Sequence, residues 1–139
     1  MAKVLFFLLF FSASLFAQSD LAREAKKLLP REIQELTLKK TSSNEAEKIL
    51  GKPHLVEGSK HYWEVKGFKY GLELSFDKNK KLQSIHYTFT GEKPPLTKLP
   101  KFDSEKLTPL SSTLMKLKDN GCEVVIDVPK KTISSVRFP

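Results

Sequence analysis

The chain has 139 residues, a formal net charge of +8 and one cysteine, Cys122. Its length predicts one domain of ordinary size, and a single cysteine rules out an internal disulfide, so we expect Cys122 to be a half-buried strand residue. Arginine occurs only at positions 23, 31 and 137, while the lysines are spread along the chain. This dispersed pattern excludes a typical nucleic-acid-binding surface. It is typical of a solvated surface with an affinity for anionic lipid headgroups or acidic polymers.

The first 17 residues have the pattern of a cleavable signal peptide. Lys3 is followed by an apolar run over 4–17, and Ala17 and Gln18 flank the expected cleavage point. The run is shorter than the ~20 residues that cross a bilayer as a helix. Because Gln18 stands where a lipoprotein has a cysteine, we expect no lipid anchor. The sequence therefore predicts a periplasmic or secreted protein, mature over 18–139, with no transmembrane span.

The mature chain is predicted to begin with a helix. Ser19 or Asp20 can cap it, and Pro30 ends it or starts a further turn through Ile33 and Leu36. The apolar positions at helical spacing are Leu21, Ala25, Leu28 and Leu29. This spacing predicts a helix with one buried side.

A second helix is predicted at 43–50. Ser42 and Glu45 form the capping-box pattern, in which each side chain bonds the backbone amide of the other residue. Gly51 suits the left-handed conformation that ends a helix, and Pro53 prevents its continuation. The apolar face comprises Ala46, Ile49 and Leu50.

After this helix the apolar pattern changes to a period of two, which predicts strands. In chain order, the strands and turns are expected at 60–65, 66–67, 70–76, 77–80 and 82–89. Asn79 is the turn residue expected to tolerate a positive φ. Such strands are typical of an antiparallel meander with one covered face, and helix 43–50 is the expected cover. The aromatic residues expected in its core are Trp63, Tyr70, Phe76, Tyr87 and Phe89.

The C-terminal region begins with a Pro-rich connector at 91–109. Thr108 and Pro109 have the pattern of a helix start, and 119–121 has that of its end. The apolar positions of this predicted helix are Leu110, Leu114 and Leu117. A β-hairpin with strands at 124–128 and 132–138 is expected to follow.

The predicted fold is therefore α+β. An antiparallel β-meander packed against short helices occupies 18–90, and the connector 91–109 leads to a smaller helix-plus-β-hairpin part at 110–139. The order of helix, strands, connector, helix and strands indicates a degenerate structural repeat.

The segment 42–89 resembles a known family. Its motifs are Ser-x-x-Glu-Ala-Glu-Lys-Ile-Leu-Gly-Lys-Pro from Ser42, then Tyr62-Trp63, then Phe76-Asp-Lys-Asn-Lys-Lys-Leu. The segment is similar to the SmpA/OmlA-like (BamE-like) outer-membrane assembly lipoproteins and to the layout of β-lactamase-inhibitor-protein-like domains. The resemblance implies a helix-plus-meander fold and a non-enzymatic envelope protein that binds another protein or lipid. The lipid-bearing cysteine of that family has no counterpart here.

No catalytic, cofactor-binding or metal-binding motif is found in the sequence. His54, His61 and His86 lack the close spacing of metal ligands, although His61 and His86 fall on strands that could be neighbours. The serines show no Gly-x-Ser-x-Gly pattern, and there is no P-loop. We therefore expect a protein that is not an enzyme and has no cofactor, with a small hydrolase or metal binder using the histidines as one alternative.

The candidate interaction surface comprises Lys60, Tyr62, Lys66 and His86. Tyr62 is expected on the polar side of its strand, as an exposed aromatic side chain ringed by lysines that suits a protein or headgroup contact. The sheet edge is a further route to a partner. The sequence thus predicts an exported, non-catalytic protein- or lipid-binding module in cell-envelope assembly or maintenance. A secreted inhibitor of an extracellular enzyme is the other alternative.

Overall fold

The computed structural model describes residues 20–139. The predicted signal peptide, its cleavage point at Ala17 and Gln18, and Ser19 lie outside the described residues. The helices of the described chain are α1 (Asp20–Lys27), α2 (Arg31–Gln34) and α3 (Ser43–Leu50). Among these residues, no helix has the length and apolar content that a bilayer span requires.

Helix α3 has the bounds and the cap that its sequence predicts. Ser42 Oγ accepts a hydrogen bond from the Glu45 amide at 3.1 Å, and Glu45 Oε1 accepts one from the Ser42 amide at 3.3 Å. These hydrogen bonds from Ser42 hold the pKa of the Glu45 carboxyl below its usual value. Gly51 ends the helix with a φ of 84°. Local sequence signals alone therefore fix this element.

Eight antiparallel strands form one sheet, which confirms the α+β class. They are β1 (Leu55–Glu57), β2 (Lys60–Val65), β3 (Phe68–Phe76), β4 (Leu82–Thr88), β5 (Leu107–Pro109), β6 (Leu114–Asp119), β7 (Cys122–Asp127) and β8 (Thr132–Phe138). Their order across the sheet is β1-β2-β3-β4-β8-β7-β6-β5. Two four-stranded meanders therefore meet through their last strands, β4 and β8.

The two meanders are built alike. In each, a two-residue turn with positive φ at both positions joins the second and third strands, the type I′ pattern. These turn residues are Lys66, Gly67, Asn120 and Gly121. Isolated bridges tie the segment before each meander to the region where its last strand begins: Ser42 with Lys81, and Pro95 with Thr132. A repeat is therefore present, but its unit is a four-stranded meander and not the predicted helix followed by strands. We call 42–88 the first repeat and 95–138 the second repeat.

The core lies between one face of the sheet and the helices. Its strand residues include Leu74, Val124 and Val136, each 0% exposed. The helices and the segment that links them contribute Leu21, Ala25, Leu29, Ile33, Leu36 and Ala46. Burying a side chain of valine or leucine size stabilises a fold by about 1.5–3 kcal/mol. Helix α1 packs on β7, so it covers part of the second repeat.

The helix predicted after Thr108 and Pro109 is wrong. Leu107–Pro109 and Leu114–Asp119 are strands β5 and β6, and β6 pairs along its whole length with β7. Proline is tolerated in β5 because it is an edge strand. The predicted C-terminal β-hairpin is present as β7 and β8, but the helix before it is not.

Three smaller expectations are also corrected. Tyr70 is 49% exposed and lies outside the core, because a register shift between Trp63 and Val65 breaks the alternation of the β2–β3 pair. The positive φ of the β3–β4 turn is at Lys80 and not at Asn79. Cys122 is fully rather than half buried.

Candidate functional site

The face of the sheet opposite the helices carries a continuous row of polar side chains. Cross-strand pairing places one residue from each of six neighbouring strands in this row: Tyr62, Glu73, His86, Arg137, Glu123 and Lys118. Lys60 and Lys116 form ion pairs with members of the row. The buried side chains of the helices belong to the core on the other face. We call these eight residues the open face.

Glu73 is the buried centre of the first-repeat half of this face. Its side chain is only 12% exposed, yet Lys60 Nζ lies 3.8 Å and Arg137 Nη2 3.7 Å from its carboxylate oxygens. Burial, followed by the interaction with the Glu73 carboxylate, raises the pKa of the Tyr62 hydroxyl. A buried carboxylate is costly without such partners. The arrangement therefore fixes the positions of the surrounding cations.

Arg137 is held from two sides. Besides its ion pair with Glu73, its Nη2 lies 3.3 Å from Nδ1 of His86. Burial, followed by the positive charge of Arg137, lowers the pKa of His86, and a neutral imidazole can accept a hydrogen bond from the guanidinium. The Arg137 side chain remains 42% exposed. A guanidinium fixed in this way is suited to bind a carboxylate of a partner.

The second-repeat half of the face has one carboxylate between two lysines. Glu123 Oε1 lies 3.8 Å from Nζ of both Lys116 and Lys118. Among the eight residues of the open face, four permanent cations accompany two carboxylates. Two further carboxylates lie towards the margins of the same side of the sheet, Glu57 opposite Lys60 and Asp127 opposite Leu114. The eight central residues thus have alternating charge with a positive excess, a pattern that favours an acidic partner surface and sets its orientation.

The sequence-predicted interaction residues are only partly brought together. Lys60 and His86 lie on the open face as expected. Tyr62 lies there too but is 8% exposed, because the exposed ring of Tyr70 packs edge-on against it at 5.2 Å. Lys66 lies instead in the β2–β3 turn, and its side chain lies against Gly91.

Sequence reasoning missed most of the charged residues of this face. Arg137 and Glu123 alternate with buried positions in β8 and β7, and this alternation could have indicated them. Lys116 and Lys118 were missed because the sequence predicted a helix where the structure has strand β6. Glu73 also alternates with apolar residues in β3, between Leu72 and Leu74, but it was not predicted as a site residue.

The three histidines do not converge. His61 in β2 and His86 in β4 are separated by β3. His61 pairs with Leu74 and His86 pairs with Glu73. Because Glu73 and Leu74 are consecutive residues of one strand, the two histidines lie on opposite faces of the sheet. His61 packs against Phe76 at 4.8 Å, and burial lowers its pKa. Within residues 20–139 there is no group of three or more His, Cys, Asp or Glu side chains able to hold a metal ion.

Cys122 is placed for packing. It is 1% exposed at the start of β7. Burial, with smaller effects from Asp119 and Glu123, raises the pKa of its thiol to about 12. Since the thiolate is the reactive form of cysteine, this residue has little nucleophilic character.

Comparison with known proteins identifies the fold alone. No protein-family model and no curated protein sequence matches the chain. The crystal structure of a DUF4309 family protein (YjgB) from Bacillus subtilis is similar, with a TM-score of 0.53 and 19% sequence identity over 85% of this chain and 91% of that one. The likeness is one of architecture.

Proposed function

We propose that this chain is an exported, non-catalytic module of the cell envelope that binds a protein partner through the open face. The observation that carries the proposal is the arrangement of Arg137, which is fixed by Glu73 and His86 and still 42% exposed. Strand pairing presents this guanidinium between further lysines on a rigid sheet. Side chains held in this way bind with little loss of conformational entropy.

Two features of the sequence support the cellular setting. The pattern of the first 17 residues predicts export. The resemblance of 42–89 to outer-membrane assembly proteins supports a role in envelope assembly or maintenance. The positive excess of the open face supports an acidic patch as the contact surface of the partner.

The test is capture from envelope extracts with matched variants. Lys60→Ala, Lys116→Ala and Lys118→Ala together remove three cations from the open face. Lys40→Ala, Lys78→Ala and Lys98→Ala remove three exposed cations from elsewhere, so both variants have the same net charge.

We expect one specific protein to be captured by the wild type and by the control variant, and to be lost or weakened about tenfold or more in the open-face variant. The identity of that protein then decides between an envelope component and an extracellular enzyme under inhibition. Equal capture by both triple variants would contradict the proposal.

A further inference from the structure

The two ends of the sheet differ in their exposed apolar side chains. One end is formed by the turn 66–67, the connection 89–95, the loop 110–113 and the turn 128–131; we call it the apolar end. The described residues expose six large apolar side chains, and four of them lie at or beside this end: Phe68, Tyr70, Leu110 and Val128. Of the other two, Val56 lies in β1 beside the turn 58–59 of the opposite end, and Ile49 lies on α3.

The exposed groups of the apolar end are held in place. The Phe68 and Tyr70 rings contact one another edge-on at 6.2 Å, and Tyr70 rests on Tyr62. The Val128 amide donates a hydrogen bond to the Thr113 carbonyl at 2.9 Å, which ties the two loops of the second repeat together. The aromatic pair and the tied loops therefore hold these exposed apolar groups in fixed positions, so little conformational entropy is lost when they make a contact.

These groups are spread along a line. They range from β3 to the β5–β6 loop, which corresponds to roughly 20 Å at the usual spacing of neighbouring strands. A line of separate apolar tips matches a broad flat surface better than it matches the pocket of a protein partner.

The charged residues around these tips are mostly lysines. The five lysines of the apolar end are Lys66, Lys69, Lys93, Lys130 and Lys131. The acidic residues in the same segments are Glu64, Glu92 and Asp127, and Asp127 is engaged by the Lys130 amide at 3.2 Å. Lysine beside aromatic and aliphatic side chains is the composition that binds the interface of an anionic membrane.

We propose that the apolar end docks on an anionic phospholipid surface, with Phe68, Tyr70, Leu110 and Val128 entering the headgroup region and the lysines contacting the lipid phosphates. This contact uses side chains other than the eight residues of the open face. Docking by this end leaves the open face roughly perpendicular to the membrane and accessible.

The test uses the exported chain, with its N-terminus identified by mass spectrometry, and vesicles of two compositions. We expect co-sedimentation with phosphatidylglycerol–phosphatidylcholine vesicles, weakening with added salt, and little with phosphatidylcholine alone. The variant Phe68→Ser with Val128→Ser, and the variant Lys69→Glu with Lys130→Glu, should each reduce binding roughly tenfold or more.

Matched controls separate docking from bulk properties. Ile49→Ser with Val56→Ser removes two exposed apolar groups from elsewhere, and Lys40→Glu with Lys78→Glu makes the same charge change away from this end. Both controls should retain vesicle binding. Equal losses in the controls, equal binding to neutral vesicles, or no binding to either composition would overturn the proposal, whatever the open face captures.

Discussion

The two repeats share a strand plan but differ in how their apolar face is covered. The first repeat begins with α3, a two-turn helix that packs Ala46 into the core. At the corresponding place the second repeat has two 3-10 turns, Leu96–Lys98, followed by the buried Leu99, and Ser104–Lys106. The second repeat therefore lacks a helix of its own.

Helix α1 supplies the missing cover. It packs on β7, and Leu21 and Leu117 line the same cleft of about 280 Å³. A repeat of this kind therefore needs no helix of its own when another segment buries the same sheet face. It also implies that the segment directly after the predicted signal peptide is part of the core of the distant C-terminal half.

The largest expected effect on stability comes from placing a charge on the buried side of each covering helix, α1 and α3. Ala25 in α1 and Ala46 in α3 are both 0% exposed. Ala25→Asp and Ala46→Asp should each lower the free energy of unfolding by about 3 kcal/mol or more, because each buries an unpaired carboxylate. Urea unfolding measures the loss, and amide hydrogen exchange should locate it in β6 and β7 for Ala25→Asp and in β2 and β3 for Ala46→Asp.

An exposed substitution provides the control for this pair. Asn44→Asp adds the same charge at an exposed position of α3 and should change stability little. If Ala25→Asp proved as mild as Asn44→Asp, α1 would not be the cover of the second repeat.

A smaller effect is expected at the register shift of the β2–β3 hairpin, which the corresponding β6–β7 hairpin of the second repeat lacks. A Cβ at Gly71 would lie 2.4 Å from Val65 Cβ, whereas the β6–β7 hairpin pairs without a register shift. Gly71→Ala should therefore cost about 1–3 kcal/mol by overpacking. Gly67→Ala, which meets no atom within 4 Å but has a φ of +86°, should cost about 1–2 kcal/mol through strain alone. Thermal unfolding of both variants compares the two costs, and a neutral Gly71→Ala would show that Val65 yields freely.

The helix cap gives the next effect. Ser42→Ala removes an acceptor for the first turn of α3 and should cost about 1 kcal/mol. Asp103 plays a similar part for the 3-10 turn Ser104–Lys106 of the second repeat, because its side chain accepts a hydrogen bond from the Glu105 amide. Because so short a turn buries no side chain, Asp103→Ala should cost less than Ser42→Ala in chemical denaturation. The reverse order would contradict the stated difference between the repeats.

The smallest effect concerns pH, since all three histidines lie in the first repeat. The pKa values of His61 and His86 lie below the ordinary value of 6.5, so the folded protein binds fewer protons than the unfolded chain. Their contribution to stability is present above about pH 6.5 and is lost as the pH falls through the lowered values. Denaturation between about pH 7 and pH 5 should show less pH dependence in the double variant His61→Gln with His86→Gln. His54→Gln is the control, and an unchanged slope in the double variant would contradict this assignment.

Local signals in the sequence gave most of the first repeat. The capping box of Ser42 and Glu45 predicted α3, and the alternation of apolar residues predicted β2 to β4. Strand β1 and the register shift that exposes Tyr70 were not predicted. In the second repeat a helix was wrongly predicted because Leu110, Leu114 and Leu117 have helical spacing, although pairing with β7 makes 114–119 a strand. Pairing with a strand that is distant in the sequence overrides local preference, and the spacing of apolar residues within one segment carries no information about that partner.

The open face could be predicted only in part for the same reason. Alternation in β2 and β4 indicated Lys60 and His86. Arg137 reaches His86 and Glu73 only because β8 pairs with β4, and nothing in the local pattern of either strand specifies that contact. The site therefore follows from the way in which the repeats are joined.

The most direct test of the open face as the binding surface is photo-crosslinking in living cells. A photoreactive residue replaces Lys60 or Lys118 on the open face, or Lys48 on α3 behind the sheet. We expect both open-face positions to crosslink to the same protein and position 48 not to crosslink to it. Crosslinks to that protein from position 48, with none from positions 60 and 118, would contradict this expectation.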